Sequence, residues 1–293
     1  MITVSDFTKK EYGQKLYKLS LSASFGCPNR TNGQRGCIFC SESGSGDFAV
    51  DVSFLKSSDS PDMALLDKRM EDAKQKIASK YSGDKYIAYF QAFTNTYAPI
   101  EELRRVFIPI IKRDDIAVLS IATRPDCLSE EIYELLKTLQ EIKPVWVELG
   151  LQTTKEESVS FIRRGYKNEV YDEAVKRLNE LGIHTITHVI LFLPGETKED
   201  MLNTVDHVLS VESKGIKLQM LQVLSGTDLT EEYKKHPFTI PTLEEYTDMV
   251  KECVARVEDK IVIHRLSGDP PRKLLIEPKW ATDKKRVLNS IMH

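Results

Sequence analysis

Three of the five cysteines, Cys27, Cys37 and Cys40, fall within fourteen residues with the spacing C-x9-C-x2-C, while Cys127 and Cys253 stand apart. An odd count with this crowding argues against a disulfide framework and for a metal or redox site in a reducing compartment. Two thiolates two residues apart grip one metal or one face of a cluster, and the intervening segment must fold the third in. Thiolate-rich sites favour Zn or Fe–S. A structural zinc site is closed by four protein ligands, and no fourth Cys or His lies near this segment, the first histidine being His184. Three ligands leave one position open, and a cubane with one iron lacking a protein ligand binds a small molecule there. Gly26, Gly33, Gly36, Gly44 and Gly46 let the segment wrap tightly and bring backbone amides toward a bound anion or sulfide.

The cysteine segment, residues 24–46, follows a strand-like run, Leu16–Ala23, and so sits at a strand's carboxyl end, where parallel α/β proteins place their chemistry. Further strand-like runs are Tyr86–Phe93, Ala117–Thr123, Val145–Gln152, Thr185–Phe192 and Lys217–Val223. Between them, Leu66, Met70, Ala73 and Ile77 form a helical stripe, as do Leu103, Val106/Phe107 and Ile110/Ile111. Helices are also predicted over Ser129–Ile142, Val170–Leu181, Lys198–Ser213 and Thr242–Val257. Ser129 and Thr242 are N-cap candidates, Glu245 completes a capping box and Gly182 is a C-cap. Six βα repeats imply parallel strands joined by right-handed crossovers, closing into a barrel or staying open as a doubly wound sheet; periodicity does not choose. A strand at Ile261–Leu266 and the turn-rich basic stretch SGDPPRKLL then read as an appendage on the barrel.

Composition bounds the rest. The 293 residues carry 41 Lys+Arg against 44 Asp+Glu, a net charge of −3, and 41% are apolar, enough for a core and incompatible with low-complexity disorder. The length suits two domains or one α/β barrel. Apolar stretches such as His188–Pro194 are far shorter than the roughly 20 residues of a membrane helix, and the start MITVSDFTKK lacks a signal peptide's apolar region. The chain is therefore read as cytoplasmic with no membrane partner. The near-neutral charge does not mark a general nucleic-acid binder.

The cysteine loop resembles that of the radical S-adenosylmethionine superfamily, in the long-spaced variant shared with the radical domain of the Elongator acetyltransferase. YFQAFTNTYAP (89–99), ATRPDCL (122–128), VELGLQT (147–153), IRRGY (162–166), HVILFLPGET (188–197) and QVLSGTDL (222–229) occur in the order and at the strand ends expected of that group. The tail RLSGDPPRKLLIEPKWATDKKRVLNSI resembles the narrower YhcC/YtqA-type branch. The resemblance implies an α/β fold, an incomplete (β/α)6 TIM-like barrel over residues 1–259 with an N-terminal cluster loop, and a short basic C-terminal extension, 260–293, packed on it. It also implies a [4Fe–4S] cluster on Cys27, Cys37 and Cys40, with S-adenosyl-L-methionine chelating the unique iron. One electron from the reduced cluster then cleaves the sulfonium, and the resulting 5′-deoxyadenosyl radical abstracts hydrogen from a substrate.

Carried onto this sequence, the resemblance places Phe39 near the adenine and gives Gln152 the ribose and Arg164 the carboxylate of the cofactor, a guanidinium fork suiting a carboxylate. Arg163 competes for that role. Thr94, Asn95 and Thr96 stand where the superfamily usually has a Gly-Glu pair on the methionine amino group, and Asn95 is taken as the cofactor-binding candidate. Arg124 and Asp126 belong at the mouth after the third strand. Glu148 shares a strand face with Gly150 and Gln152, and a carboxylate in a barrel interior must be paired or used. Cys127 is a candidate hydrogen donor or covalent residue, against burial as a small apolar group. Cys253 lies on an apolar helix stripe and reads as core, and His188 as site residue or core histidine. Arg272–Arg286 carries six basic residues with Trp280 among them as a stacking surface, and the Elongator likeness raises transfer RNA as a partner.

A radical enzyme of this kind needs an electron donor of flavodoxin or ferredoxin type. Two rival readings are a non-catalytic iron–sulfur protein for electron transfer or redox sensing and a zinc-stabilised RNA-binding module.

Overall fold

In the computed structural model, which describes residues 1–293 except 32, 43, 45, 47, 58, 59 and 82, strands and amphipathic helices alternate along the chain. Of the cysteine segment, residues 32, 43 and 45 therefore lie outside the described residues. A short strand β1 (Ile2–Thr3) leads into helix α1 (Val4–Tyr12), capped by the Thr3 side chain, which accepts from the Asp6 amide. Strands β2 (Tyr17–Ser22) and β3 (Val50–Asp51) flank the cysteine segment, and α2 (Met63–Gln75) buries Leu66, Met70 and Ala73 of the expected stripe. There follow β4 (Tyr86–Phe90), α3 (Ile100–Ile111), β5 (Ile116–Thr123), α4 (Glu130–Ile142), β6 (Val145–Gln152), α5 (Glu156–Phe161), α6 (Asn168–Glu180), β7 (His184–Leu191), α7 (Lys198–Ser210) and β8 (Gly215–Met220). The last part comprises β9 (Val223–Leu224), α8 (Asp228–Lys235), α9 (Leu243–Val257), β10 (Val262–Arg265), β11 (Leu275–Glu277) and α10 (Lys284–Met292).

Among the described residues, nine strands form one sheet in the order β1-β10-β8-β7-β6-β5-β4-β2-β3, with every pairing parallel; β9 and β11 make a separate antiparallel pair. Parallel strands covered on both faces read as nearly continuous apolar runs, and all five residues of β4 are buried. The choice that periodicity leaves open is settled by reach across the sheet. Lys18 on β2 pairs with Glu148 on β6, with β4 and β5 between, and the Lys217 ammonium on β8 donates to the Tyr89 hydroxyl on β4 at 3.0 Å. In a flat sheet these residues would stand about 14–19 Å apart, so the sheet curls into a half-barrel with the helices outside.

The capping box is present at Thr242 and Glu245. Gly182 follows α6 in the left-handed conformation, while the Ser129 side chain makes no cap bond. β4 stops at Phe90, earlier than expected, because Phe93 takes a left-handed turn that lets its amide donate to Gly44 O. The segment expected as an appendage from residue 260 opens with β10, which lies inside the main sheet between β1 and β8. The remainder packs through Val287 and Ile291 of α10. No helix among the described residues is long and apolar enough to cross a membrane.

Candidate functional site at the half-barrel mouth

The loop carrying Cys27, Cys37 and Cys40 is fastened mainly through backbone groups. Its Thr94 and Phe93 neighbours donate to Gly26 O and Gly44 O, the Ile38 amide donates to Ile162 O, and Ile38 O accepts from the Leu229 amide. The Asn29 side-chain amide donates to Arg163 O at 2.8 Å and lies 3.4 Å from the Cys37 sulfur. Arg30 reaches back across the loop, donating to the carbonyls of Cys40, Ser41 and Glu42. Gly44 is required where it stands: its φ is +57°, and a Cβ there would lie 2.6 Å from the Phe93 ring.

These contacts bring Cys27, Cys37 and Cys40 onto a cavity of about 180 Å³ at the carboxyl ends of the strands. Phe39, Arg124, Glu148, Gln152, Arg164 and His188 line it as well, so most of the residues singled out from sequence meet there. Burial, reinforced by the neighbouring Cys40 and Cys27, pushes the Cys37 thiol up to about 11. Gln152 takes a left-handed backbone, φ +63°, and its buried Oε1 has no hydrogen-bond partner among the described residues. Three crowded thiols and an unpaired acceptor on one wall fit a bound cluster and a polar cofactor.

Three expected residues are placed differently. All five donors of Arg164 are consumed by the protein: Nε and Nη2 by Tyr166 O, Nη1 by Leu151 O and Thr153 O, and Nη2 again by Asn168 Oδ1. A guanidinium so satisfied has no fork left for a carboxylate. Arg163 is turned outward to Asp228. Asn95 does not line the cavity; its amide donates to Phe90 O and Ala122 O, tying β4 to β5. Cys127 lines a separate outer groove with Pro28, Thr96 and Tyr97. Burial, with Asp126 next to it, pushes the Cys127 thiol up to about 12, which keeps it protonated. Cys253 is fully buried in the core.

Arg124 forms a two-pronged pair with Asp126, at 2.9 and 2.7 Å, over the Tyr166 ring. Burial opposes its charge, but Asp126 outweighs burial and holds it fully ionised. Glu148 sits in a network that sequence reading missed: Lys18 and Lys217 pair with it, Ser120 Oγ donates at 2.9 Å, and His188 Nε2 donates at 2.7 Å. Burial disfavours the Glu148 charge, yet Lys18 and Lys217 hold the carboxyl well below its ordinary range. The signal was present: YKLSLS and GIKLQM each place a lysine inside an otherwise uncharged strand.

Residues 21–208 match the Radical SAM superfamily, and residues 213–293 match the Radical_SAM C-terminal domain. The chain belongs to the radical SAM superfamily. It is 37% identical over 291 residues to YtqA, an uncharacterized protein of Bacillus subtilis, covering 99% of this chain and 87% of that protein. It is 26% identical over 163 residues to the tRNA uridine(34) acetyltransferase of Methanocaldococcus jannaschii, covering 54% of this chain and 29% of that one. Among solved structures, the archaeal Elp3 of Methanocaldococcus infernus shares the fold with a TM-score of 0.63 at 19% identity, over 77% of this chain and 57% of that structure. The family implies S-adenosylmethionine and a [4Fe–4S] cluster.

Proposed function

We propose that this protein cleaves S-adenosylmethionine reductively at a [4Fe–4S] cluster held by Cys27, Cys37 and Cys40, and turns the resulting radical on a substrate. The observation that carries this reading is the convergence of the three thiols with Phe39, Gln152 and Arg124 on one cavity at the carboxyl ends of parallel strands. When bound, the cluster supplies the electron that breaks the sulfonium. Gln152 offers its unpartnered Oε1 to a hydroxyl donor, Phe39 gives an apolar face for an adenine, and the Arg124–Asp126 pair fixes a charged wall. Asn29 steadies Cys37, and Arg30 steadies the loop around Cys40. Among the described residues, no three Cys, His, Asp or Glu side chains are placed to hold a single metal ion.

Anaerobic reconstitution of iron and sulfide, followed by reduction with dithionite and S-adenosylmethionine, tests the reading. 5′-Deoxyadenosine is the expected product, and Cys37→Ser abolishes both iron loading and product while Cys127→Ser and Cys253→Ser keep both. Iron loading without 5′-deoxyadenosine would leave an electron carrier or sensor instead. In the cell the electron comes from a donor of flavodoxin or ferredoxin type.

The substrate class we propose is transfer RNA, supported by the similarity to a tRNA uridine acetyltransferase and by the tail, where Arg272, Lys273, Lys279, Lys284, Lys285 and Arg286 are all exposed. Trp280 is not a stacking surface in this arrangement: its ring packs on Tyr246 and its indole N–H donates to Pro241 O. Binding would therefore be electrostatic, falling steeply with salt, and the Lys284→Ala/Lys285→Ala/Arg286→Ala variant flattens that dependence. An unchanged salt slope in the triple variant would remove RNA from this surface.

A further inference from the structure

The interior of the half-barrel changes character with depth. Next to α1 the inward side chains are Leu16, Ile87, Val118, Trp146 and Ile186, an apolar layer. One layer nearer the mouth every inward side chain is polar: Lys18 on β2, Tyr89 on β4, Ser120 on β5, Glu148 on β6, His188 on β7 and Lys217 on β8. Arg265 of β10, in register with Lys217, adjoins them and reaches Gln219 Oε1 at 3.5 Å. Tyr89, Glu148, His188 and Gln219 of this group line the same cavity as the three cysteines, and Lys18, Lys217 and Arg265 stand behind that lining, bonded to Glu148, Tyr89 and Gln219.

The charges in it do not balance. Glu148 is the one carboxylate that pairs with this group among the described residues, and it faces Lys18 and Lys217; Arg265 has no carboxylate within ion-pair distance among those residues. The Lys217 ammonium is almost wholly buried, with Tyr89 OH as its other partner, and both lysines lie over the Tyr89 ring, at 4.1 and 4.5 Å. His188 adds no compensating charge: it spends its Nε2–H on Glu148, and burial pulls it down to about 4, so it is neutral near pH 7. Of the three cations only Lys217 is buried, with the buried Glu148 as its counter-ion; Lys18 and Arg265 are partly exposed, and together they leave positive charge beside that pair which no further carboxylate among the described residues meets. Burial, together with Lys18 and Arg265, draws Lys217 well below the ordinary lysine range against the pull of Glu148, a cost that an incoming anion relieves.

We infer that this layer is an anion site, in which Lys18, Lys217 and Arg265 receive a carboxylate or phosphate group of the substrate and seat it beneath the cofactor. The inference rests on the radical-enzyme reading for its placement, but its test needs neither cluster nor radical. Lys18 and Arg265 supply the attraction, and Tyr89 OH and Gln219 add neutral hydrogen bonds. Glu148 sets the strength: it holds both lysines in place and cancels one of their charges.

The experiment uses cluster-free full-length protein at constant ionic strength, with ¹³C-acetate and inorganic phosphate as separate probes followed by NMR line broadening. Wild-type protein binds at least one of them, and the preferred probe distinguishes a carboxylate from a phosphate on the substrate. Lys18→Gln weakens binding about tenfold or more, Lys18→Arg restores it, and Glu148→Gln tightens it. That opposite response separates an anion site from a structural ion pair, whose loss weakens the fold in either variant without moving anion affinity in opposite directions. Thermal melts of each variant, with and without the probe, confirm that folded protein is being compared. Binding of neither probe, or equal binding in wild-type and Lys18→Gln protein, overturns the inference; so does displacement of acetate by S-adenosylmethionine, which would give the site to the cofactor's own carboxylate. Continued 5′-deoxyadenosine formation alongside any of these results leaves the radical reading standing by itself.

Discussion

At the amino-terminal ends of the strands the half-barrel is closed by side chains: Phe7 of α1 stacks on His184 at 5.0 Å and leans on Trp146 at 6.0 Å, above Leu16, Ile87, Val118 and Ile186. At the carboxyl-terminal ends it is closed by a loop held mostly through backbone carbonyls, with Arg30 and Asn29 as the fasteners. The first closure is stable because it removes apolar surface from water, and it leaves nothing for a ligand to do. The second anchors Phe25 and Ile38 in the core yet leaves its thiols and the Gln152 acceptor on a cavity wall. Stability and chemistry are thereby assigned to opposite ends of the same strands, and substitutions at the two ends should fail in different ways.

The largest effect on folding is expected from Trp146→Ala, which empties the middle of the apolar layer. A loss of about 3–5 kcal/mol in chemical denaturation is the expected size, and the fraction still folded should load iron normally. Next is Arg164→Met. The side chain is buried in the wall of the mouth, yet it acts there as a structural tie, since its loss strands the carbonyls of Thr153 and Tyr166 and removes one of the two bonds to Leu151 O. We expect about 3 kcal/mol of destabilisation with little change in the S-adenosylmethionine affinity of folded, cluster-loaded protein. A variant of full stability that no longer binds the cofactor would return Arg164 to the carboxylate role.

The pH dependence sharpens the contrast further. Burial holds His184 and His188 down at about 4, against an ordinary 6.5. The unfolded chain therefore takes up protons near pH 6.5 that the folded chain refuses until near pH 4. Their contribution is fully present above pH 6.5 and is lost as pH falls toward 4, at about 1.4 kcal/mol per pH unit for each histidine. Urea midpoints measured between pH 7.5 and 5 should fall accordingly; half the slope would mean that one of the two rings is charged in the folded protein, and a flat profile that both are. The smallest effect on stability is expected from Gly44→Ala, about 1 kcal/mol from the left-handed backbone. Because the new methyl displaces Phe93 and the loop it anchors, iron retention should nevertheless drop, the reverse of the Trp146→Ala pattern.

Several features were fixed by local sequence. The inward-outward alternation of Val145–Gln152 puts Glu148 and Gly150 on one face, whereas Gln152 reaches the cavity through a break in register and a left-handed backbone that alternation does not announce; the Thr242–Glu245 box caps α9 through bonds three residues apart. The spacing of Cys27, Cys37 and Cys40 on one loop after one strand likewise needs no distant partner to be read. Short elements were not legible: α1, α5, α8 and α10 are too brief to show a full stripe, and their stability comes from the surfaces they dock on.

What only the tertiary structure decided is how residues far apart in sequence compete for the same polar groups. Arg164 looked available for a carboxylate until the chain reversal after β6 surrounded it with four acceptors that take its five N–H groups, and Asn95 until the ends of β4 and β5 took its amide nitrogen. Lys18, Glu148 and Lys217 are separated by 130 and 69 residues, and nothing in their local sequences requires them to meet. They meet because β2, β6 and β8 belong to a sheet that curls. Alternation along a strand says which face a side chain occupies, whereas curvature, a property of the whole sheet, says what lies across from it.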